Sequence, residues 1–132
     1  MNRLKARVEK IEAADTLHIV TFLWEGVTIR MVSLNLDAGI VPGKEVMLGV
    51  NFSSVAIAKD LGGSVSYTNQ VAARIAETEE GELVTVVRMQ IGATELAALI
   101  TTGAFRRMQL KVGDSVTAII KANDLFLEEV LT

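Results

Sequence analysis

Residues 2–8 read Asn-Arg-Leu-Lys-Ala-Arg-Val and residues 69–75 read Asn-Gln-Val-Ala-Ala-Arg-Ile, so one pattern returns after 67 residues. Further along each half, residues 42–46 (PGKEV) and residues 112–116 (VGDSV) are 70 residues apart. Repetition at a nearly fixed spacing is the sequence signature of duplicated structural units. The change in spacing indicates a loop three residues longer in the second half. We therefore predict two tandem copies of one small module.

Each copy has the pattern of short strands rather than helices. Half of the residues are hydrophobic but only 5% are aromatic, and β-branched side chains pack well on a pleated sheet. One short helix per half is predicted, capped in the second half by Thr101 or Thr102. The fold class is all-β, with two tandem OB-like five-stranded barrels, each with one short helix. The strand-like segments are residues 8–11, 17–23 and 27–32 in the first half and residues 75, 84–91 and 95–100 in the second half.

The repeat also divides the chain into domains. Residues 1–60 form the first predicted module, residues 61–66 a linker and entry strand, and residues 67–132 the second module. A unit of roughly 65 residues buries little apolar surface. We therefore expect each module to pack against its twin or against other chains.

Composition excludes several classes of function. The net charge of −3 argues against direct nucleic-acid binding, which needs a clustered positive surface. The chain has no cysteine and one histidine, His18, so neither a metal site nor a nucleophile–base pair is indicated. Residues 1–7 lack the apolar run of a secretion signal, and no segment has 18 uninterrupted apolar residues. These features predict a cytoplasmic protein with no catalytic residues, no organic cofactor and no membrane association.

Two segments of the second half resemble a known family. Residues 66–71 (SYTNQV) are similar to the Ser-Ala-Arg-Asn-Gln-Leu opening of molbindin (Mop, or TOBE) domains, and residues 110–122 (LKVGDSVTAIIKA) resemble the ending of those domains. The resemblance implies that the chain binds molybdate or tungstate at interfaces between modules or subunits. It also implies a homo-oligomer, either a dimer or a trimer. These oxyanions present only acceptor oxygens, so their site must supply donors.

The resemblance assigns candidate oxyanion-binding residues in the second half. Ser66 matches the opening serine of the family, whereas Thr68 stands where the family usually has arginine. Thr101 matches a hydroxyl donor before the short helix. Asn51 stands at the lysine position of the first half, so a complete site is not expected there. The full candidate set is Ser66, Thr68, Asn69, Thr101, Lys121, Ala122 and Asn123.

Each candidate also has a purely structural interpretation. Lys121 follows an apolar strand and can be a solvated lysine at the strand end. Thr101 can serve only as a helix cap, and Thr68 can be a polar residue of an edge strand. These alternatives stay open at the level of sequence.

The leading functional hypothesis is non-enzymatic storage, homeostasis or sensing of molybdate or tungstate. A regulatory or interaction module with degenerate anion sites, belonging to a transcription regulator or a transporter system, is the alternative. The absence of arginine at Thr68 and of lysine at Asn51 favours this alternative. A nucleic-acid-binding OB module is disfavoured because the chain has only six aromatic residues.

Overall fold

The computed structural model describes residues 1–132, which form ten strands and one α-helix. The strands of the first half are β1 (Asn2–Ala14), β2 (Leu17–Trp24), β3 (Val27–Leu34), β4 (Glu45–Val50) and β5 (Val55–Ala58). Those of the second half are β6 (Asn69–Glu80), β7 (Val84–Ile91), β8 (Thr94–Thr101), β9 (Ser115–Ile120) and β10 (Phe126–Val130). Helix α1 spans Thr102–Arg107, and short 3₁₀ turns lie at Phe52–Ser54 and Ala122–Asp124.

The duplication predicted from the repeat is confirmed in detail. The long first strand of each half has a bulge at the same place, between Val8 and Lys10 in β1 and between Ile75 and Glu77 in β6. Beside each bulge the turn before the fourth strand donates a glycine N–H at 2.8 Å, from Gly43 to Val8 O and from Gly113 to Ile75 O. A bulge bends a strand and increases its twist. Both halves therefore curl in the same way into OB-like five-stranded sheets.

The two sheets exchange their last strands. The first sheet has the order β10-β4-β1-β2-β3 and the second has the order β5-β9-β6-β7-β8. Strand β5 of the first half thus pairs with β9, and β10 of the second half pairs with β4. The division into residues 1–60, 61–66 and 67–132 stays a prediction about chain segments, because each sheet contains strands from both halves.

The cores of the two barrels are continuous with each other. The apolar faces of both sheets join in one cluster of 26 buried residues. Trp24 is the largest side chain fully buried in this cluster. Since each half buries its apolar face partly against the other, the expectation that a module packs against its twin is met within one chain.

The two halves differ where the three-residue change in spacing was predicted. In the second half, α1 connects β8 to the turn before β9, and Phe105 of this helix is buried in the core. Thr101 caps α1 by accepting a hydrogen bond from Ala104 N–H at 3.1 Å. The corresponding segment of the first half, residues 35–44, contains no helix. The prediction of one short helix in each half is therefore wrong for the first half, because its connection is too short for an extra helical turn.

Candidate functional site

Two buried asparagines fasten the barrels to each other. The Asn69 side chain accepts a hydrogen bond from Arg30 N–H at 2.7 Å and donates to Arg30 O at 2.9 Å. The Asn2 side chain makes the same pair of bonds with Ala97 N–H and O, both at 2.8 Å. Arg30 lies in β3 and Ala97 in β8, which are edge strands of the two sheets. Each asparagine therefore satisfies backbone groups that an edge strand would otherwise leave unpaired.

Asn69 lies at one end of the second sheet, which we call the second-half end. It comprises residues 66–69 at the start of β6, residues 121–123 after β9, and Arg30. Because Asn69 pairs with Ile120 in the β6–β9 ladder, the segments before β6 and after β9 leave the sheet side by side. The equivalent first-half end comprises Asn2, Asn51 and Ala97, and there Asn2 pairs with Val50 in the β1–β4 ladder.

Most candidate ligands meet at the second-half end. The side chains of Ser66, Thr68 and Lys121 are exposed there. None of the three makes a side-chain hydrogen bond or an ion pair within the chain. Two hydroxyls and an ammonium group are therefore free to donate to a ligand.

The 3₁₀ turn Ala122–Asp124 follows Lys121 directly. Asp124 N–H donates to Lys121 O at 2.9 Å and fixes the turn. Ala122 is buried, Asn123 is exposed, and the turn packs against β3. The turn thus brings Lys121 and Asn123 next to the strand that carries Arg30.

Thr101 is not part of this group of residues. It pairs with Val84 at the far end of the β7–β8 ladder, next to the hairpin that follows β6. The twelve-residue strand β6 separates this region from Ser66 and Thr68. A site that uses both Thr101 and Lys121 would therefore require a second chain.

Asn69 has a structural role that the sequence did not indicate. Its side chain is only 2% exposed, and its amide is engaged with the Arg30 backbone. Sequence reasoning placed Asn69 among the ligands but missed Arg30. The recurrence of asparagine at residues 2 and 69 was the available signal for a duplicated structural role.

Lys59 and Asp114 form a structural ion pair away from this end. Lys59 Nζ lies 3.1 Å from Asp114 Oδ2, which also accepts a hydrogen bond from Lys111 N–H at 2.9 Å. The backbone hydrogen bond from Lys111, followed by that from Lys59, lowers the pKa of the Asp114 carboxyl below its ordinary value. Another ion pair joins β1 to β10, where hydrogen bonding to Glu128 raises the pKa of Arg3.

The largest cavity is an apolar groove on the first barrel. It has a volume of about 650 Å³, and most of its lining is hydrophobic, including Leu17, Leu34, Leu36 and Phe126. It lies beside the first-half connection that lacks a helix. A doubly charged oxyanion is costly to bury among apolar groups, so the groove does not fit the predicted ligand.

No three His, Asp or Glu side chains are grouped to hold a cation. No helix is long and apolar enough to span a membrane. His18 is half-buried, and its Nδ1 has no hydrogen-bond partner.

Comparison with known proteins relates the chain to TOBE domains. Residues 66–127 match the family model of the TOBE domain. One solved structure superposes on 97% of this chain and 95% of its own length, with a TM-score of 0.92 and 25% sequence identity. The TOBE match covers most of the second half of the chain, and the two matches confirm the resemblance of residues 66–71 and 110–122 to molbindin (Mop/TOBE) domains.

The solved structure is that of ModG, described as a cytoplasmic molybdate-binding protein with a cooperative binding mechanism, in a crystal form with molybdate bound. The superposition covers both halves of the present chain, so it extends beyond the TOBE match in the second half. No curated protein matches the chain in sequence.

Proposed function

We propose that the protein binds molybdate or tungstate without catalysing a reaction, and that it serves in cytoplasmic storage, homeostasis or sensing of the oxyanion. The observation that carries the proposal is the group of free donors at the second-half end. Ser66 and Thr68 offer hydroxyls, and Lys121 offers a positive charge with no internal partner. The nearly full-length similarity to a molybdate-bound protein gives the ligand class.

The donor set fits the chemistry of a tetrahedral dianion. Molybdate and tungstate carry only acceptor oxygens, and hydrogen bonds from charged donors are roughly twice as strong as neutral ones. Lys121 therefore supplies the strongest single interaction of the proposed set. Its exposure makes capture at the surface possible without burying an unpaired ion.

The binding sites are proposed to lie between modules of different chains. Thr101 and Lys121 are at opposite ends of the second sheet, so one chain cannot bring them to the same anion. Assembly into a homo-oligomer, as a dimer or trimer, would let the Thr101 end of one chain approach the Lys121 end of another. Ligand would then stabilise the assembly by mass action.

Isothermal titration with molybdate, tungstate and sulfate tests the proposal. We expect molybdate and tungstate to bind, and Lys121→Ala to weaken binding about tenfold or more because a charge-assisted hydrogen bond is lost. Asn51→Ala is the matched control, since Asn51 occupies the equivalent position of the first half. It should leave the affinity within about twofold of the wild type, a change well below the tenfold step that 1.4 kcal/mol represents.

The same experiment separates the alternative, a regulatory or interaction module with degenerate sites. The uncharged Thr68 and Asn51 are the residues that favour it. Absence of heat with all three anions at micromolar protein would contradict the storage proposal and support the alternative. Sedimentation with and without molybdate tests the expected assembly.

A further inference from the structure

The basic residues of the chain fall into two groups. Eight of the thirteen lysines and arginines contact an acceptor of the chain through their side chains. Five have no such partner. These five are Lys5, Arg30, Lys111, Arg107 and Lys121. Two of them, Arg30 and Lys121, belong to the second-half end.

Hydrogen bonds to its backbone hold Arg30 at this end. Asn69 binds both the N–H and the O of Arg30, at 2.7 and 2.9 Å, and Asn69 itself pairs with Ile120. Neighbouring strands lie about 5 Å apart, so one strand spacing separates Asn69 from Ile120, the residue that precedes Lys121, and the Asn69 side chain bridges to the Arg30 backbone. The 3₁₀ turn after Lys121 packs on the strand of Arg30. The side chain of Arg30 is exposed and takes no part in these contacts.

The geometry points to Arg30 as a second cationic ligand of the oxyanion at the second-half end; this inference rests on the proposed function and deepens it. Arg30 and Lys121 bring two unpaired positive charges to the second-half end, which matches the double negative charge of molybdate or tungstate. A guanidinium group adds planar paired donors, whereas the Lys121 ammonium acts as a point charge. The site therefore selects doubly charged tetrahedral anions over singly charged ones of the same shape.

The first-half end shows what the same architecture does without these charges. Its asparagine makes the same backbone bonds, but the residue it holds is Ala97 and the lysine position is Asn51. The two ends thus have equivalent backbone contacts, but only the second-half end carries positive side chains at these two positions. Arg30 comes from the first half of the chain, so the second-half site depends on both copies of the module.

Titration of Arg30→Gln with molybdate and with perrhenate, a tetrahedral monoanion, tests the inference. We expect about tenfold weaker molybdate binding, as for the loss of one charge-assisted contact, and a smaller loss for perrhenate. Lys5→Gln is the control, because Lys5 is another exposed cation without a partner and lies within β1, opposite Met47, away from both the Lys121 end and the Thr101 end. It should change neither affinity by more than about twofold, because exposed charges far from the site are screened by salt. Arg30→Lys should retain an intermediate molybdate affinity.

The outcomes separate this inference from the proposed function. If Lys121→Ala weakens molybdate binding but Arg30→Gln does not, the role of Arg30 is wrong and the proposed function stands. Equal losses in Arg30→Gln and Lys5→Gln would also overturn it, since they would reflect net charge alone. If the wild type binds neither anion, both proposals fail. Melting temperatures equal to the wild type would confirm that each variant folds, as expected because Arg30 contacts Asn69 through its backbone and not through its side chain.

Discussion

The two ends where the barrels meet have the same backbone hydrogen bonding but different exposed side chains. At both ends a buried asparagine pairs with the edge strand of the other sheet, with nearly the same hydrogen-bond lengths. The second-half end carries Arg30 and Lys121, whereas the first-half end carries Ala97 and Asn51. Since the asparagine contact is present at both ends, its role is structural: it supplies hydrogen-bond partners to a buried edge strand. The exposed residues around it can change without cost to the fold.

A second difference lies in the connection between the third and fourth strands. The second half has α1 there, with Phe105 in the core, and the first half has a shorter loop beside an apolar groove. Three residues suffice for this difference because they allow nearly one more helical turn. The duplicated unit therefore keeps the same order of strands in both halves and varies in this connection.

The largest effect is expected from removing the two asparagine side chains. Asn69→Ala and Asn2→Ala each leave one backbone N–H and one carbonyl of an edge strand without a partner, which should lower the free energy of unfolding by about 2–4 kcal/mol. Urea unfolding measures this loss. Only Asn69→Ala should also weaken oxyanion binding, because it alone releases Arg30. Equal effects of the two variants on affinity would contradict the difference between the ends.

An intermediate effect is expected where the exchanged strands pack. Gly49 on β4 faces Phe126 of β10, and a Cβ at Gly49 would lie 2.6 Å from the phenyl ring. The second barrel reverses the sizes, with Ile119 on β9 facing Ala56 of β5. Gly49→Val should therefore cost about 1–3 kcal/mol by overpacking.

The double variant Gly49→Val with Phe126→Ala tests this reading of the strand exchange. It copies the arrangement of the second barrel, so it should recover part of the stability lost in Gly49→Val. Ile119→Val is the matched control and should cost only about 0.5–1.5 kcal/mol. A double variant that is less stable than Gly49→Val would rule out steric complementarity at this position.

The smallest effect is expected from Asp114, which has no counterpart in the first half, where Lys44 occupies the equivalent position. Its pKa is lowered in the folded protein by Lys111 N–H and Lys59. The resulting stabilisation is present above the ordinary aspartate pKa of about 4 and is lost as the pH falls through the lowered value. Asp114→Asn should lower the melting temperature at pH 7, and this difference should shrink in acid. Asp15→Asn, at an exposed turn, should show no such dependence.

Sequence reasoning was most successful where local pattern decides structure. The spacing of 67 and then 70 residues gave both the duplication and the place of the extra residues, and the strand-like segments 17–23, 27–32 and 84–91 correspond to observed strands. The cap at Thr101 was also predictable, since it depends on neighbours three residues away. The helix of the first half was predicted wrongly because the repeat was assumed to continue through the connection between the third and fourth strands. In the first half this connection is three residues shorter and contains no helix.

Other features depend on contacts between distant residues. The exchange of β5 and β10 joins segments that the repeat assigns to different halves, and periodicity carries no information about which sheet a strand enters. Asn69 matched a ligand motif, but its partner is 39 residues away in the chain. Arg30 lies in an ordinary alternating strand, so its sequence context does not distinguish it from a solvated residue.

The sequence by itself determined the duplicated β architecture, the resemblance to molbindin domains and the donor types available for an oxyanion. These properties depend on local spacing and side-chain chemistry, both of which can be read directly from the amino-acid sequence. Only the tertiary structure decided which strands complete each sheet, which asparagines hold the barrels together, and which cations meet at one end. Those outcomes depend on burial and on hydrogen bonds between distant segments, because an edge strand in the interior needs partners from whichever segment the fold brings to it.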